Sequence, residues 1–424
     1  MKAPVEFNPL GELPAGWSWQ PLQNLTANPK QDVVDGPFGS DLKASEYVAA
    51  GVPIARLQNI DRNAFVTKNI RYLTHEKAAD LSRHEFRPND ILITKLGDPL
   101  GKACIVPASI GRGVIVADLV RVRPDESRVD RQYLTYAINS PSIIKQFELH
   151  TKGTTRPRVN LSVLRQLPIP VAPREVQDEI VAELEKQFSR LDEAVANLQR
   201  VKANLKRYKA SVLNDAVEGR LVESDSPAAL VKLGSVANLI DPQPSHRTPP
   251  THPDGVPYIG IGDVLENGKL DFQNSRKVSP TVLEEHRARY TLRIGDFIFG
   301  KIGTLGRPTL LMPPFTYTLS ANVVLVQADG VRLLPEYALI FMDSPKLLNM
   351  ISREAKATTQ AAYGIKRMRD LEINLPPVEQ QRKIVAEVDR HLSIIREVEA
   401  EVDANLQRAR ALRQSTLSSV FSGG

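Results

Sequence analysis

The chain has 424 residues, 42% hydrophobic and 25% charged, with a formal net charge of +6 and a single cysteine. This is ordinary composition for soluble globular protein with room for two to four domains. It excludes internal disulfides and any cysteine-rich zinc site, and leaves Cys104 as a reduced, buried, inert thiol. No run approaches the roughly 18 apolar residues of a membrane span. The N-terminal stretch MKAPVEFNPLGELPAGW has no apolar signal core, so a cytoplasmic protein with no membrane partner is expected.

Residues 1–173 are punctuated by proline and glycine, with short β-branched runs at 90–94, 114–117 and 119–122 that read as strands. A helical stretch follows over 130–147. From Glu175 to Val217 neither proline nor glycine interrupts the chain. Apolar residues recur there in steps of three and four at Ile180, Leu184, Phe188, Leu191, Val195, Leu198, Val201, Leu205, Tyr208 and Val212, the seam of a coiled coil. Residues 224–377 return to the first texture, with strands expected at 296–299 and 322–326 and a helix over 334–351. The last segment, 378–424, repeats the seam with Ile384, Val388, Leu392, Ile395, Val398 and Val402.

The chain is a tandem duplication. VAPREVQDEIVAE at 171–183 returns as LPPVEQQRKIVAE at 375–387, identical at 7 of 13 positions and 204 residues on. The same offset relates Gly51-Val52-Pro53 to Gly255-Val256-Pro257, Tyr133 to Tyr337, Ser140-Pro141 to Ser344-Pro345 and Thr154-Thr155 to Thr358-Thr359. Coincidence has no reason to hold register over such distances. Between Asp90 and Pro107 the register slips by one or two residues, pairing Asp90, Lys95 and Gly97 with Asp296, Lys301 and Gly303. The expected organisation is two mixed α/β or α+β domains, 1–173 and 224–377, and two long helices, 174–223 and 378–424.

Each long helix spans on the order of 43 residues, about 65 Å at 1.5 Å per residue. Acidic residues crowd the first half of the first helix (Glu175, Asp178, Glu179, Glu183) and basic ones its second half (Arg200, Lys202, Lys206, Arg207), and the second helix repeats the gradient more weakly. Antiparallel pairing sets acidic ends against basic ends. Each gradient also complements its own helix dipole, and both effects can operate together. Antiparallel helices related by duplication imply an approximate two-fold axis, with two similar domains at fixed separation, which suits the repeating groove of duplex DNA.

Residues 1–173 carry 22 Lys+Arg against 17 Asp+Glu and residues 224–377 carry 17 against 15, so the excess positive charge sits in the two domains. That is compatible with a polyanion partner. Both domains offer a cationic glycine loop after an expected strand, holding Lys95 and Lys102 in one and Lys301 and Arg307 in the other; phosphate contacts and ordinary hairpin turns both fit. The second repeated cluster is Lys152, Thr154, Thr155, Arg156 and Arg158 against Thr358, Thr359 and Gln360. Its threonines suit phosphate positioning or a structural turn, while Arg156 and Gln360 could read guanine and adenine respectively. His246 and Arg247, in a proline-rich stretch that differs wholly from 36–47, and Lys366 and Arg367 complete the candidate DNA contacts.

The plan of domain, helix, domain, helix resembles the specificity subunit of type I restriction–modification systems over essentially the whole chain. The residues that carry it are Leu13-Pro-Ala-Gly-Trp17, Leu167-Pro-Ile-Pro170, and Leu375-Pro-Pro-Val-Glu-Gln-Gln381 opening the second helix; the first copy departs from the last pattern at Ala172 and Val176. The resemblance implies a non-catalytic DNA reader, each domain a target-recognition domain for one half of a bipartite, asymmetric site. The paired helices would be spacer and docking surface for two modification subunits. Those partners would bind S-adenosylmethionine and methylate an adenine, and restriction subunits would add ATP- and Mg-dependent cleavage.

No such chemistry is expected in this chain. Asp35-Gly-Pro-Phe38 lacks a proline of the amino-methyltransferase loop, and Gly97-Asp-Pro-Leu-Gly-Lys102 is one residue short of a phosphate loop and lacks its Ser/Thr. Asp343 with Glu354-Ala-Lys356 imitates a nuclease set, but its first-repeat counterparts have lost both carboxylates. His246 and His252 have no third ligand nearby, so no metal is expected. The competing classes are a coiled-coil scaffold joining protein partners without sequence-specific DNA binding, and a self-sufficient nuclease or methyltransferase.

Overall fold

The computed structural model describes residues 12–39, 41–97, 99–151, 157–223, 227–355 and 362–421. The chain divides into two compact units, Met1–Leu198 with Ala404–Gly424, and Gln199–Asp403. Each unit therefore contains one mixed domain and a stretch of both long helices.

In the first unit a four-stranded antiparallel sheet has the order Val33–Asp35, Leu119–Val122, Ile91–Thr94, Ala103–Ile105. A second sheet orders Arg71–Leu73, Val52–Ala55, Gly113–Ile115 and Glu85–Phe86, its central pair parallel. The second unit repeats the first of these as Ala237–Ile240, Val323–Ala328, Phe297–Gly300, Gly306–Leu310, again antiparallel. Its other sheet, Lys277–Val278, Val256–Ile259 and Thr318–Leu319, keeps the parallel pair. The duplication read from local matches thus extends to strand order and direction. The strand expected at 119–122 is present with those ends, and the others are present with shifted ends; that at 114–117 is Gly113–Ile115.

The helical stretches expected over 130–147 and 334–351 are each two helices, Arg131–Ile138 with Pro141–Leu149 and Pro335–Asp343 with Pro345–Ala355. The break falls at the repeated Ser-Pro step. A proline disfavours helical backbone in the residue before it, and Ser140 and Ser344 accordingly have ψ of 148° and 130°. Each serine hydroxyl donates back to the preceding helix, Ser140 Oγ to Ala137 O and Ser344 Oγ to Phe341 O, both at 2.7 Å.

The long helices are Arg174–Val217 and Val378–Phe421, 44 residues each. Their starts explain the repeated motif. Gln177 is buried, accepts from Asp130 N at 2.8 Å and donates to Ala172 O at 2.8 Å. Gln381, fully buried, accepts from Leu334 N at 2.9 Å and donates to Pro376 O at 2.9 Å and Arg332 O at 2.7 Å. Tyr133 and Tyr337, both buried, each donate at 2.9 Å to the strand leading into the helix, at Pro170 O and Asn374 O. The repeated glutamine is a clasp joining the long helix to the short helix pair of its own unit.

Within each unit the helices run antiparallel. In the first, Phe421 shares a core with Leu184 and Phe188, while Arg413 pairs with Asp192 and lies 4.6 Å above the Phe188 ring. In the second, Lys202 Nζ is 2.7 Å from Asp403 Oδ1, and Tyr208 Oη is 2.8 Å from His391 Nδ1. Basic and acidic ends meet, as the charge gradients required. Of the seam residues, Leu184, Phe188, Ile384, Val388, Ile395 and Val402 are buried, and Ile180, Leu191, Val195, Leu198 and Leu392 are half-buried. Val201 and Tyr208 depart from the expected seam: they are 39% and 44% exposed. Two helices alone cover only one stripe of each other, so steps at its margin face solvent.

Candidate nucleic-acid interface

At one end of the four-stranded sheet of the first unit, three segments converge because their strands pair there: Asp35 opposite Val120, and Thr94 opposite Leu119. Lys95, directly after its strand, is not a free phosphate contact. It is 8% exposed and its ammonium lies 2.8 Å from Asp35 Oδ2. Its backbone is also used, with N donating to Asp118 O at 2.9 Å and O accepting from Val159 N at 3.0 Å.

The second unit builds the same arrangement. Lys301 is 4% exposed, with Nζ 2.8 Å from Asp241 Oδ2, N donating to Asn322 O at 2.9 Å and O accepting from Tyr363 N at 2.8 Å. The carbonyl of each aspartate is held as well, by His84 Nδ1 at 2.6 Å for Asp35 and by Arg289 Nη2 at 3.0 Å for Asp241. Two residues before each aspartate, in the same way, Arg165 donates to Val33 O at 2.8 Å and Arg369 to Leu239 O at 2.7 Å. The reading of Lys95 and Lys301 as exposed DNA contacts is therefore corrected. A buried ammonium keeps its charge only beside a partner, and these two fix the point from which each surface loop leaves the sheet.

The exposed cations of the interface lie around these clamps. Arg158 bridges to Leu96, is 55% exposed along its side chain, and contacts Asp118 Oδ1 at 2.7 Å. Lys102 is partly exposed, 3.2 Å from Asp61 Oδ1. Exposed pairs of this kind are worth at most about 1 kcal/mol, so a phosphate can displace the carboxylate at small cost. Beyond Asp35 the chain turns through Gly36, where a Cβ would fall 2.1 Å from the Val116 carbonyl, and presents Phe38 at 79% exposure.

Beyond Asp241 the loop of the second unit carries the exposed His246 and Arg247. It is pinned from beneath. Arg289 Nη1 donates to Pro242 O at 3.2 Å, and Gln243 Oε1 accepts from His286 Nε2 at 2.5 Å. The other ring nitrogen of His286 faces the Thr318 and Tyr290 hydroxyls. Burial pushes the His286 pKa down to about 4, aided by the Arg289 charge, so the ring stays neutral and can donate from one nitrogen and accept at the other. His246 has a left-handed backbone, φ 51°, and its Nε2 is 3.8 Å from Asp241 Oδ2. Arg307, also left-handed at φ 54°, is turned onto Leu265 O at 3.0 Å. Lys366 and Arg367 are exposed on the short helix Ile365–Arg369 that follows Tyr363. Lys152, Thr154, Thr155, Arg156, Thr358, Thr359 and Gln360 lie outside the described residues.

The two aspartates of the clamps were not visible as a pair because they stand 206 residues apart, not 204. The spacing of Lys95 and Lys301, also 206, was the available signal. Among the described residues no group of three His, Cys, Asp or Glu side chains is arranged to hold a metal ion. Asp35 is committed to Lys95, and burial raises the pKa of the Asp343 carboxyl. Cys104 is buried and its thiol is pushed up to about 12, an unreactive state. Among the described residues no helix is long and apolar enough to cross a membrane.

The chain is similar to known proteins both in sequence and in fold. Residues 227–407 match the family described as the type I restriction modification DNA specificity domain. The chain is 24% identical to the type I restriction enzyme EcoKI specificity subunit of Escherichia coli (strain K12), covering 97% of this chain and 90% of that one. It is 22% identical to the EcoBI specificity subunit of Escherichia coli, over 79% and 73% of the two chains. Among solved structures, a chain from a study of complex assembly and conformational transition in the type I R-M system superposes with a TM-score of 0.71 at 18% identity, covering 97% of this chain and 99% of that one. The HsdS subunit of Thermoanaerobacter tengcongensis shares the fold with a TM-score of 0.52 at 18% identity, over 97% and 98%. This chain is similar to the type I restriction enzyme specificity subunits.

Proposed function

We infer that this chain is the DNA-reading specificity subunit of a type I restriction–modification complex and is not itself catalytic. The observation that carries the reading is the twofold occurrence of one clamp, Lys95 on Asp35 and Lys301 on Asp241, each setting exposed loop residues at the end of a sheet. One reader built twice suits a bipartite site, and the differing loops, Phe38 in one copy against His246 and Arg247 in the other, suit an asymmetric one.

In this reading the domains at 1–173 and 224–377 are target-recognition domains for the two halves of the site. The helices set the spacing and dock two modification subunits, in the cytoplasm. S-adenosylmethionine sits on those subunits, and ATP and Mg serve the restriction subunits; this chain holds none of them. The test is a map of methylated adenines in cells with and without the gene. Loss of one bipartite motif on deletion is expected, and an unchanged map contradicts the reading.

A further inference from the structure

A second cationic feature of the first unit lies away from the clamp. Arg121, on the strand Leu119–Val122, is 4% exposed. It donates to Glu85 O at 3.0 Å and to Gln31 O, and its Nε is buried with no partner. It lines a cavity of about 320 Å³ together with Lys30, Arg83, Glu85, Arg87 and Arg123. Glu85 takes Arg87 at 2.6 Å, and Asp90 takes Arg123 through two contacts of 2.8 Å. Lys30, Arg83 and Arg121 then have no ion pair among the described residues, and Lys30 and Arg83 are exposed at the rim.

The fold does not require this charge. Arg121 pairs with Leu92 across the sheet, and the residue in the same place of the second unit, paired with Ile298, is the fully buried Leu325. Next along the strand but one, Gln327 replaces Arg123 and donates to Asp296 at 2.6 Å, as Arg123 does to Asp90. The same sheet is thus built once with a buried leucine and once with a buried guanidinium. Burial already disfavours the charged form of Arg121, and the nearby Arg123 adds to that penalty. An anion in the cavity relieves both.

We propose that this cleft is a phosphate-binding site. Several guanidiniums around one cavity match the tetrahedral, multiply accepting oxygens of phosphate better than a single carboxylate. The phosphate can come from a free nucleotide-like anion or from a DNA backbone. The free-anion arm goes beyond the DNA reading of the chain, whereas the backbone arm rests on it.

The experiment uses the full chain and two variants, Lys30→Ala/Arg83→Ala at the rim and Arg121→Leu, which copies the second unit's own residue. Calorimetry with inorganic pyrophosphate at low salt tests a free anion. Expected is saturable binding that weakens about tenfold or more in both variants. Salt titration of duplex DNA binding tests the backbone source. Expected there is a fall of about one to two in the salt slope, with sequence preference unchanged. Either response supports the site and names its source. No variant-dependent change in either measurement overturns it. A wild-type chain without sequence preference would contradict the DNA reading instead, and would leave the pyrophosphate result intact.

Discussion

Lys301 and Asp241 form an ion pair of 2.8 Å in which the lysine side chain is 4% exposed and the aspartate 22%. Breaking one side of such a pair strands a charge. Lys301→Met is expected to destabilise the second unit by about 3 kcal/mol. The double variant Lys301→Met/Asp241→Asn should recover most of that loss, because an apolar residue beside a neutral amide leaves no buried charge. Denaturant unfolding of the three proteins measures the difference; a double variant as unstable as the single one contradicts the pairing.

The glutamine clasps make a second prediction. Gln381→Ala removes one acceptor and two donors in a fully buried place and leaves Leu334 N without its partner. The expected cost is about 2–3 kcal/mol, with Gln177→Ala acting similarly on the first unit. Protease cleavage near each helix start should rise in the affected unit alone.

His286 gives a pH dependence with a definite sign. Its folded pKa, about 4, lies below the ordinary 6.5, so the unfolded chain binds the proton more tightly. Stability is constant above about 6.5 and falls as pH drops through the window from about 6.5 to 4, by up to about 3 kcal/mol from this group. His286→Gln should flatten that fall in the second unit's unfolding transition. An unchanged acid profile contradicts the neutral, hydrogen-bonded ring.

Exposed cations and buried ones should separate in DNA binding. Arg158→Ala, Lys102→Ala and Arg247→Ala are each expected to weaken binding and lower the salt slope by about one if they touch phosphate. Arg247→Ala should also alter sequence preference if it reads a base edge. Lys95→Met acts differently, lowering stability first. Filter binding at several salt concentrations, with thermal unfolding in parallel, distinguishes the two classes.

Much of this architecture was legible in the sequence because it depends on periodicity and repetition. The seam from Ile180 to Leu198, the helix starts at the repeated glutamine and the antiparallel pairing all rest on spacing and charge order, which one sequence displays. The helix breaks at Ser140-Pro141 and Ser344-Pro345 were also written there, and the proline rule outweighed the apolar period. The fate of Lys95 was not legible. Whether a lysine beside a glycine loop faces phosphate or a buried aspartate depends on where another strand ends, and Asp35 lies 60 residues away. Arg121 was hidden for the same reason: within the run Leu119–Val122 nothing local marks an arginine for burial, and its 4% exposure depends on distant groups such as the Glu85 carbonyl it donates to.

The central claim is that each unit reads its own half of a DNA site, and exchange of one domain tests it most directly. Residues 224–377 would be replaced by the corresponding segment of a relative with a known site, and methylated adenines mapped in cells carrying the chimaera with its partner subunits. The account predicts a motif in which one half and the spacer length are retained and the other half is that of the donor. A motif changed in both halves, or in neither, would contradict it.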